Sequence, residues 1–524
     1  MNRTHFRISE MIFCLTLCAL PFAFFLWLRR SVKGRLPLPP GPKGYPFIGN
    51  MLDMPTVTPW KVFQEWCKVY GDVIYLDLPG RPTIVLGSVK VAVELLEKRS
   101  SIYSDRAVFV TDKLLSWDFN FAFMPYSQTW RNHRRAFHQY FNQGEVHKYH
   151  PIQVRECRAF LQRMLDSPEN IAQHVRQIYT AIILKIVYDM EVTGMNCEYV
   201  LLAQEAMMAL NIARVTEASW VEYLPILKHI PSWVPGARFK KLADRFRPVV
   251  ETMRDKPFNQ IKRDVANGKG SSSVSGKLLK RLQDRFGETE LNQEQEEIAR
   301  NVAGIAYAAA ADTTTSAAQS FFVAMSLYPD VQRKAQAELD RVVGPDRLPD
   351  FNHLDELVYI QAVALETMRW AVVTPLANPH RLLRDDEFNG FFIPKGTTVL
   401  PNAWAMLHDP DEYPDPDEFK PERFIKDEQL DPNVRSPLSI AFGFGRRICP
   451  GRHLSGSSLF LTIASVLHTL SIQPALGQDG KTIDPSTMMS TGIISSPKCV
   501  PCIVNPRSAN AEHLIRHWNS TASE

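Results

Sequence analysis

Residues 442–451 read FGFGRRICPG, and this stretch decides the fold. Glycines at Gly443, Gly445 and Gly451 bracket Cys449, with Arg446 and Arg447 beside it. Glycine lets a backbone come close to a bulky flat object and turn its amide N–H groups toward a sulfur. Positive charge lowers a thiol pKa, and the thiolate is the species that binds iron. Beyond Pro450-Gly451 the pattern predicts a helix over 453–470, with Cys449 just before its positive end. Together these residues suit an axial thiolate ligand to a haem iron.

Working outward, the next decisive element lies upstream. Asn292 is expected to cap a helix, with Gln295 as its capping-box partner and Glu294, Glu296 and Glu297 in the first turn. The apolar pattern ARNVAGIAYAAAADTTTSAAQSFFVAMSLY runs on to Tyr328, where Pro329 stops it. At 1.5 Å per residue the helix is roughly 50 Å long and must cross the core. Its centre nevertheless holds Asp312, Thr313, Thr314 and Thr315, poor helix formers in the most apolar stretch. Local rules broken in the middle of a core element point to a functional site. Asp312 and Thr313 form the acid–alcohol pair able to relay protons there.

The spacing Phe442-x-x-Gly445-x-Arg447-x-Cys449-x-Gly451 resembles the haem-binding loop of the cytochrome P450 family. Further motifs follow in the family's order. Trp130-x-x-x-Arg134 resembles its early helix motif, and Ala309 to Thr314 resembles its oxygen-activating segment. Glu366-x-x-Arg369 is similar to its internal ion pair, which Arg423 in Pro421-Glu422-Arg423-Phe424 completes. LPPGPKGYPFIGN and AFGFGRRICPGRHL are similar to fungal secondary-metabolism members of the O-methylsterigmatocystin oxidoreductase-like group. The resemblance implies a mainly α fold with small β-sheets, the cytochrome P450 fold, preceded by one N-terminal transmembrane helix.

It also implies haem b (iron-protoporphyrin IX) bound through the Cys449 thiolate. Trp130, Arg134, His380 and Arg447 would meet the anionic haem propionates, and Phe442, Gly443 and Gly451 would shape the loop. Glu366, Arg369 and Arg423 would form a structural triad: positions three apart share a helix face, and a buried carboxylate needs a cation. The family usually has glycine where this chain has Ala310, so the space beside the oxygen-activating segment is expected to be narrower. Cys499-Val-Pro-Cys502 is formally a CxxC, but its surroundings predict a β segment with two thiols.

Composition agrees with this class. The 524 residues are 45% hydrophobic and 22% charged, which excludes a disordered chain. A net charge of +4 carries no polyanion signature, so no nucleic-acid partner is expected. Eight cysteines in so long a chain fit a reducing compartment rather than a disulfide scaffold. No internal repeat is apparent, and 267–277 (NGKGSSSVSGK) is expected to be an exposed loop. Strand runs at 73–76 and 83–86 flank Pro79-Gly80-Arg81-Pro82, a hairpin signal.

Met11 to Leu28 is an uncharged apolar run, near the minimum that spans a bilayer. Arg29, Arg30, Lys33 and Arg35 follow it and predict that the body faces the cytosol. The expected organisation is 1–30 membrane anchor, 31–50 Pro-rich hinge acting as a stiff spacer, 51–510 haem-thiolate monooxygenase domain, and 511–524 C-terminal tail. The implied location is the endoplasmic reticulum membrane, single-pass.

The implied activity inserts one oxygen atom of O₂ into a lipophilic small molecule such as a terpenoid or polyketide. No flavin or nicotinamide fingerprint is present. Electrons are therefore expected from NADPH through a separate cytochrome P450 reductase, with cytochrome b5 as a second candidate donor, docking near Arg446, Arg447 and Arg452. Phe119, Phe121, Phe123, Ala306, Ala310, Leu376, Ile493 and Ile494 are expected to line an apolar pocket. A haem-thiolate isomerase or dehydratase and a non-catalytic haem carrier are the alternatives, and neither needs the Asp312-Thr313 pair.

Overall fold

Alternating β-branched and apolar residues on either side of Pro79-Gly80-Arg81-Pro82 pair as the antiparallel strands β1 (Val73–Leu76) and β2 (Thr83–Leu86). The computed structural model describes residues 36–518 except 195, 216–218, 235, 271, 287–289 and 478–488. Three more strands extend that hairpin: β3 (Asp105–Arg106), β4 (His380–Arg381) and β5 (Thr398–Pro401), in the order β1-β2-β5-β4-β3. β2 and β5 are parallel, with Thr83 opposite Thr398, and β3 and β4 are antiparallel, with Arg106 opposite His380. Parallel strands cannot be joined by a tight turn, and the crossover between β2 and β5 contains most of the helices.

The helices of the main core include α1 (Gln128–Phe141), α2 (Ile171–Tyr188), α3 (Glu198–Val215), α4 (Glu290–Leu327), α5 (Val358–Trp370) and α6 (Arg452–Thr469). α4 runs 38 residues, about 57 Å at 1.5 Å each, and its alanines let neighbouring helices approach closely. Residues 301–308 and 314–326 of it are buried, and Ala309, Ala310, Asp312 and Thr313 between them are half-buried. Asn292 lies inside α4, which begins at Glu290, so it is not the cap. Among the described residues no helix is long and apolar enough to cross a membrane. The apolar run 11–28 lies outside the described residues.

Residues 36–50 depart from the expected spacer. Tyr75 N–H donates to Pro40 O at 2.8 Å, Asn50 N–H to Asp77 O at 2.8 Å and Phe392 N–H to Pro37 O at 2.8 Å. A Cβ on Gly41 would come 2.0 Å from Tyr75 O, so the Pro-rich segment is pressed flat onto the sheet. Prolines fix its φ and their missing N–H groups cost nothing on an edge. Two further boundaries shift. Residues 274–277 are the first turn of a helix, Val274–Phe286, with Ser273 Oγ accepting from Gly276 N–H at 3.0 Å. The division at 510/511 falls inside a helix, Ala509–His517, whose Ile515 is fully buried in the main core. Of the CxxC, only Cys502 enters a strand (Cys502–Pro506), and burial pushes its thiol up to about 11.

Candidate active site

α1, α2, α4 and α6 enclose a cavity of about 310 Å³, closed further by residues 120–123, the turn after α5 and Ile493-Ile494. At one end stands Cys449. Its N–H donates to Phe442 O at 2.8 Å, which closes the loop, and its sulfur accepts the N–H groups of Gly451 and Arg452 at the start of α6. Burial pushes the thiol up, while these donors and the positive charges of Arg134 and Arg452 pull it down. An iron cation bound beside the sulfur would tip that balance to thiolate. The loop's own path depends on Gly445: φ is +55° and a Cβ there would sit 2.1 Å from Leu96 O. Phe442, Gly443 and Gly451 all line the cavity.

Three guanidinium groups and one imidazole converge on the same cavity, and no Asp or Glu of the described residues lines it. Arg447 donates to Ser104 O at 2.7 Å and Met124 O at 2.8 Å, and its guanidinium lies 4.1 Å from the Trp130 ring centre. Arg134 reaches Ile448 O at 2.6 Å. His380 Nδ1–H donates to Tyr103 O at 2.8 Å, and burial holds its pKa far below the usual histidine range. The fourth group is Arg106, which donates to Asn378 O at 2.6 Å and Ala122 O at 3.0 Å. Burial lowers Arg447 to about 9, Arg134 to about 10, and Arg106 well below the usual arginine value. Buried cations facing a cavity without carboxylates call for an anionic occupant. A sulfur on one side and a rim of cations seeking two carboxylates fit haem b.

Sequence reasoning missed Arg106. Nothing in YSDRAVFV has diagnostic spacing; only its pairing with His380 across β3 and β4 brings it to the rim.

The central helix presents Ala306, Ala309, Ala310, Thr313 and Thr314 to the cavity at helical spacing. α4 continues without interruption past Ala310. Thr313 Oγ1–H donates to Ala309 O at 2.8 Å, which leaves its oxygen lone pairs toward the cavity. Thr314 meets Ser455 Oγ at 3.1 Å, whereas Thr315 bonds Ala311 O at 2.7 Å away from it. Asp312 does not line the cavity: its carboxylate pairs with Arg176 Nη1 of α2 at 3.0 Å, and its side chain is 16% exposed.

Phe121, Phe123, Ala306, Ala310, Ile493 and Ile494 line the cavity, but Phe119 and Leu376 do not. Phe119 stacks on Trp117 with centroids 5.6 Å apart, and Leu376 joins the small core beneath β1 and β2. Backbone turns at 116–124 and 374–377 rotate them away, a feature no periodicity reports.

Outside the cavity, Glu366 and Arg369 on α5 are both fully buried. Arg369 grips the carboxylate with two bonds, at 2.7 and 2.8 Å, and Arg423 Nε adds a third at 3.2 Å. Arg369 also donates to Leu407 O, Pro416 O and Glu418 O, so the triad ties α5 to the chain that leads to Cys449.

The cytochrome P450 family model matches residues 39–498. Cytochrome P450 monooxygenase COX1 of Coprinopsis cinerea is 41% identical over 496 residues, covering 93% of this chain and 95% of the relative. Cytochrome P450 monooxygenase 208 of Postia placenta is 39% identical, covering 94% of each. Tryptamine 4-monooxygenase of Psilocybe cyanescens is 36% identical, covering 92% of this chain and 94% of the relative.

Proposed function

The chain belongs to the cytochrome P450 family, a haem-thiolate monooxygenase of fungal type, and from that premise we propose how its own residues divide the work. Haem held through the Cys449 thiolate supplies the iron chemistry that activates dioxygen for insertion into a C–H bond. Burial raises the Cys449 thiol, the N–H groups of Gly451 and Arg452 offset part of that rise, and the bound iron would complete the ionisation. Trp130, Arg134, Arg447 and Arg106 would hold the two propionates, and His380, whose Nδ1–H is taken by Tyr103 O, would join them only by gaining a proton at Nε2 beside that negative charge. Thr313 presents oxygen lone pairs on the cavity side and accepts the proton donor that serves dioxygen. Asp312, one residue back and partly exposed beside Arg176, takes protons from solvent for Thr313.

The substrate is a neutral lipophilic molecule, a terpenoid or polyketide. The absence of any carboxylate from the described cavity lining argues against a cationic amine, although one relative is named for tryptamine. Electrons come from NADPH through a separate membrane reductase, with cytochrome b5 as a second donor. Arg447 cannot serve that docking, because it is buried toward the cavity; Arg131, Arg135 and Arg446 are exposed cations on that side. The membrane reading rests on the apolar run 11–28. It is supported by exposed Leu52, Leu224, Ile226 and Trp233, for Tyr223 packs in one small core with Met51 and Met54. With the body in the cytosol, Asn519 of the Asn519-Ser520-Thr521 sequon carries no glycan when the full chain is expressed in a eukaryotic host, and a glycan there overturns the topology.

The observation that carries the reading is the cradled Cys449 at one end of an apolar cavity walled by Thr313. Cys449→Ser loses the red-shifted Soret band of thiolate-ligated ferrous–CO, whereas Cys502→Ser keeps it. Substrate-dependent NADPH and O₂ consumption with a reductase separates a monooxygenase from an isomerase or a haem carrier.

A further inference from the structure

Two stretches distant in sequence wall the substrate end of the cavity: residues 120–123 and, on α3, Met207 and Leu210. Their outer ends are joined by four charged side chains. Arg214 lies on the same face of α3 as Met207 and Leu210, at seven- and four-residue spacing. Its Nη2 donates to both oxygens of Asp112, at 2.8 and 2.9 Å, and its guanidinium lies 3.6 Å from the Phe109 ring centre and 5.0 Å from that of Phe123. Phe123 itself lines the cavity. Beside this pair, Glu222 accepts Val110 N–H at 2.8 Å, Thr111 N–H at 2.9 Å and Arg81 Nη2 at 3.2 Å.

The packing beneath makes this cluster decisive. The short helices Val110–Leu114 and Ser219–Tyr223 reach the main core only at Leu114; Val110, Leu114 and Val221 share a small separate one with Phe239. Ser116 Oγ bonds Glu251 at 2.7 Å and Arg247 bonds Leu114 O at 2.9 Å, so the far end of Val110–Leu114 is tied elsewhere. At the near end the charges are the fastening. That fastening is imperfect: Arg81 Nη1 and Arg214 Nε and Nη1 are buried without a hydrogen-bond partner. Buried donors left unmatched raise the free energy of the closed arrangement, and small satellite cores open locally at low cost.

We propose that Asp112 and Arg214 form a positioning pair that sets the size selectivity of the cavity: joined, they hold Phe123 against the end of α3, and their parting admits bulky ligands. The proposal rests on the monooxygenase reading, because the cavity governed is the haem cavity. Asp112→Asn leaves Arg214 buried without its counter-charge, which favours opening.

The test uses the haem-loaded full chain and two azoles that bind the iron directly, imidazole and the far larger clotrimazole, followed by stopped-flow absorbance. In Asp112→Asn the association rate of clotrimazole rises on the order of tenfold, while that of imidazole and the thiolate-type ferrous–CO band are unchanged. The double variant Asp112→Asn/Arg214→Gln returns the clotrimazole rate toward wild type, because two neutral amides can pair without a stranded charge. Equal acceleration of both azoles, or of neither, overturns the proposal while leaving the haem reading intact. A wild-type protein without the thiolate band overturns both. If the variants do not fold, amide exchange on the wild type decides: residues 110–112 and 207–214 open together, and independent opening refutes the pairing.

Discussion

Replacing Glu366 by Gln tests how the buried triad holds the domain. Glu366 Oε2 accepts Arg369 Nε at 2.7 Å, and Oε1 accepts Arg369 Nη2 at 2.8 Å, Arg423 Nε at 3.2 Å and Lys420 N–H at 2.8 Å. A carboxamide keeps one acceptor oxygen and turns an NH₂ toward a guanidinium. At least one charged donor is then stranded, and the Arg369 cation, 0% exposed, loses its anion. Removing one member of a buried ion pair costs about 3–5 kcal/mol, a large share of the roughly 5–15 kcal/mol that stabilises a folded domain. The exposed pair Glu65–Lys68, with both side chains 64% accessible, is the internal control. Glu65→Gln costs well under about 1 kcal/mol. Urea titrations of both variants, read by the Soret band and by far-ultraviolet circular dichroism, give the comparison. Glu366→Gln/Arg369→Met recovers little, since Arg423 is still without its carboxylate and Leu407 O, Pro416 O and Glu418 O lose their donor. If Glu366→Gln shifts the midpoint no more than Glu65→Gln, the buried-charge reasoning is refuted.

Thr313→Ala keeps haem and ligand binding but diverts reducing equivalents to hydrogen peroxide, with product per NADPH falling at least several-fold and at most by the roughly 10²–10⁴ lost with a proton-transfer group; Thr315→Ala, bonded away from the cavity, stays coupled. Normal coupling in Thr313→Ala refutes the relay. Gly445→Ala must both hold a φ of +55° and push Leu96 O away, so it loses most haem loading. Gly443→Ala, with φ of +76° and open space around its Cβ, costs only about 1 kcal/mol; equal haem yields would contradict this contrast. Burial lowers His408 to about 3 and holds His380 well below its usual range. Unfolded histidines titrate near 6.5, so below that pH the unfolded chain binds protons that the folded chain does not. Stability is thus full above about 6.5 and falls on acidification, by about 1.4 kcal/mol per pH unit per histidine until its folded pKa is reached. His408→Asn flattens that dependence between pH 6 and 4, and an unchanged slope would refute the assignment.

Much of this protein was legible in the chain itself. Cys449 with its glycines is a local device: the amides of Gly451 and Arg452 are neighbours in sequence, so no distant contact was needed to foresee them. The hairpin at 73–86, the long central helix and the shared face of Glu366 and Arg369 follow from periods of 2.0 and 3.6 residues. Other features depended on the partner that each side chain meets. Thr313 and Asp312 are adjacent, yet about 100° of helix rotation sends one to the cavity and the other to Arg176, 136 positions away. Arg447 shares a motif with Arg446 but turns inward, because Ser104, Phe121 and Met124 offer it carbonyl oxygens. Arg106 joins the rim only through strand pairing with His380, and Arg214 meets Asp112 across 102 positions. Local sequence sets backbone period and side-chain direction through short-range sterics. Where a side chain's charge is satisfied is decided by desolvation and packing among segments that only the closed fold brings together.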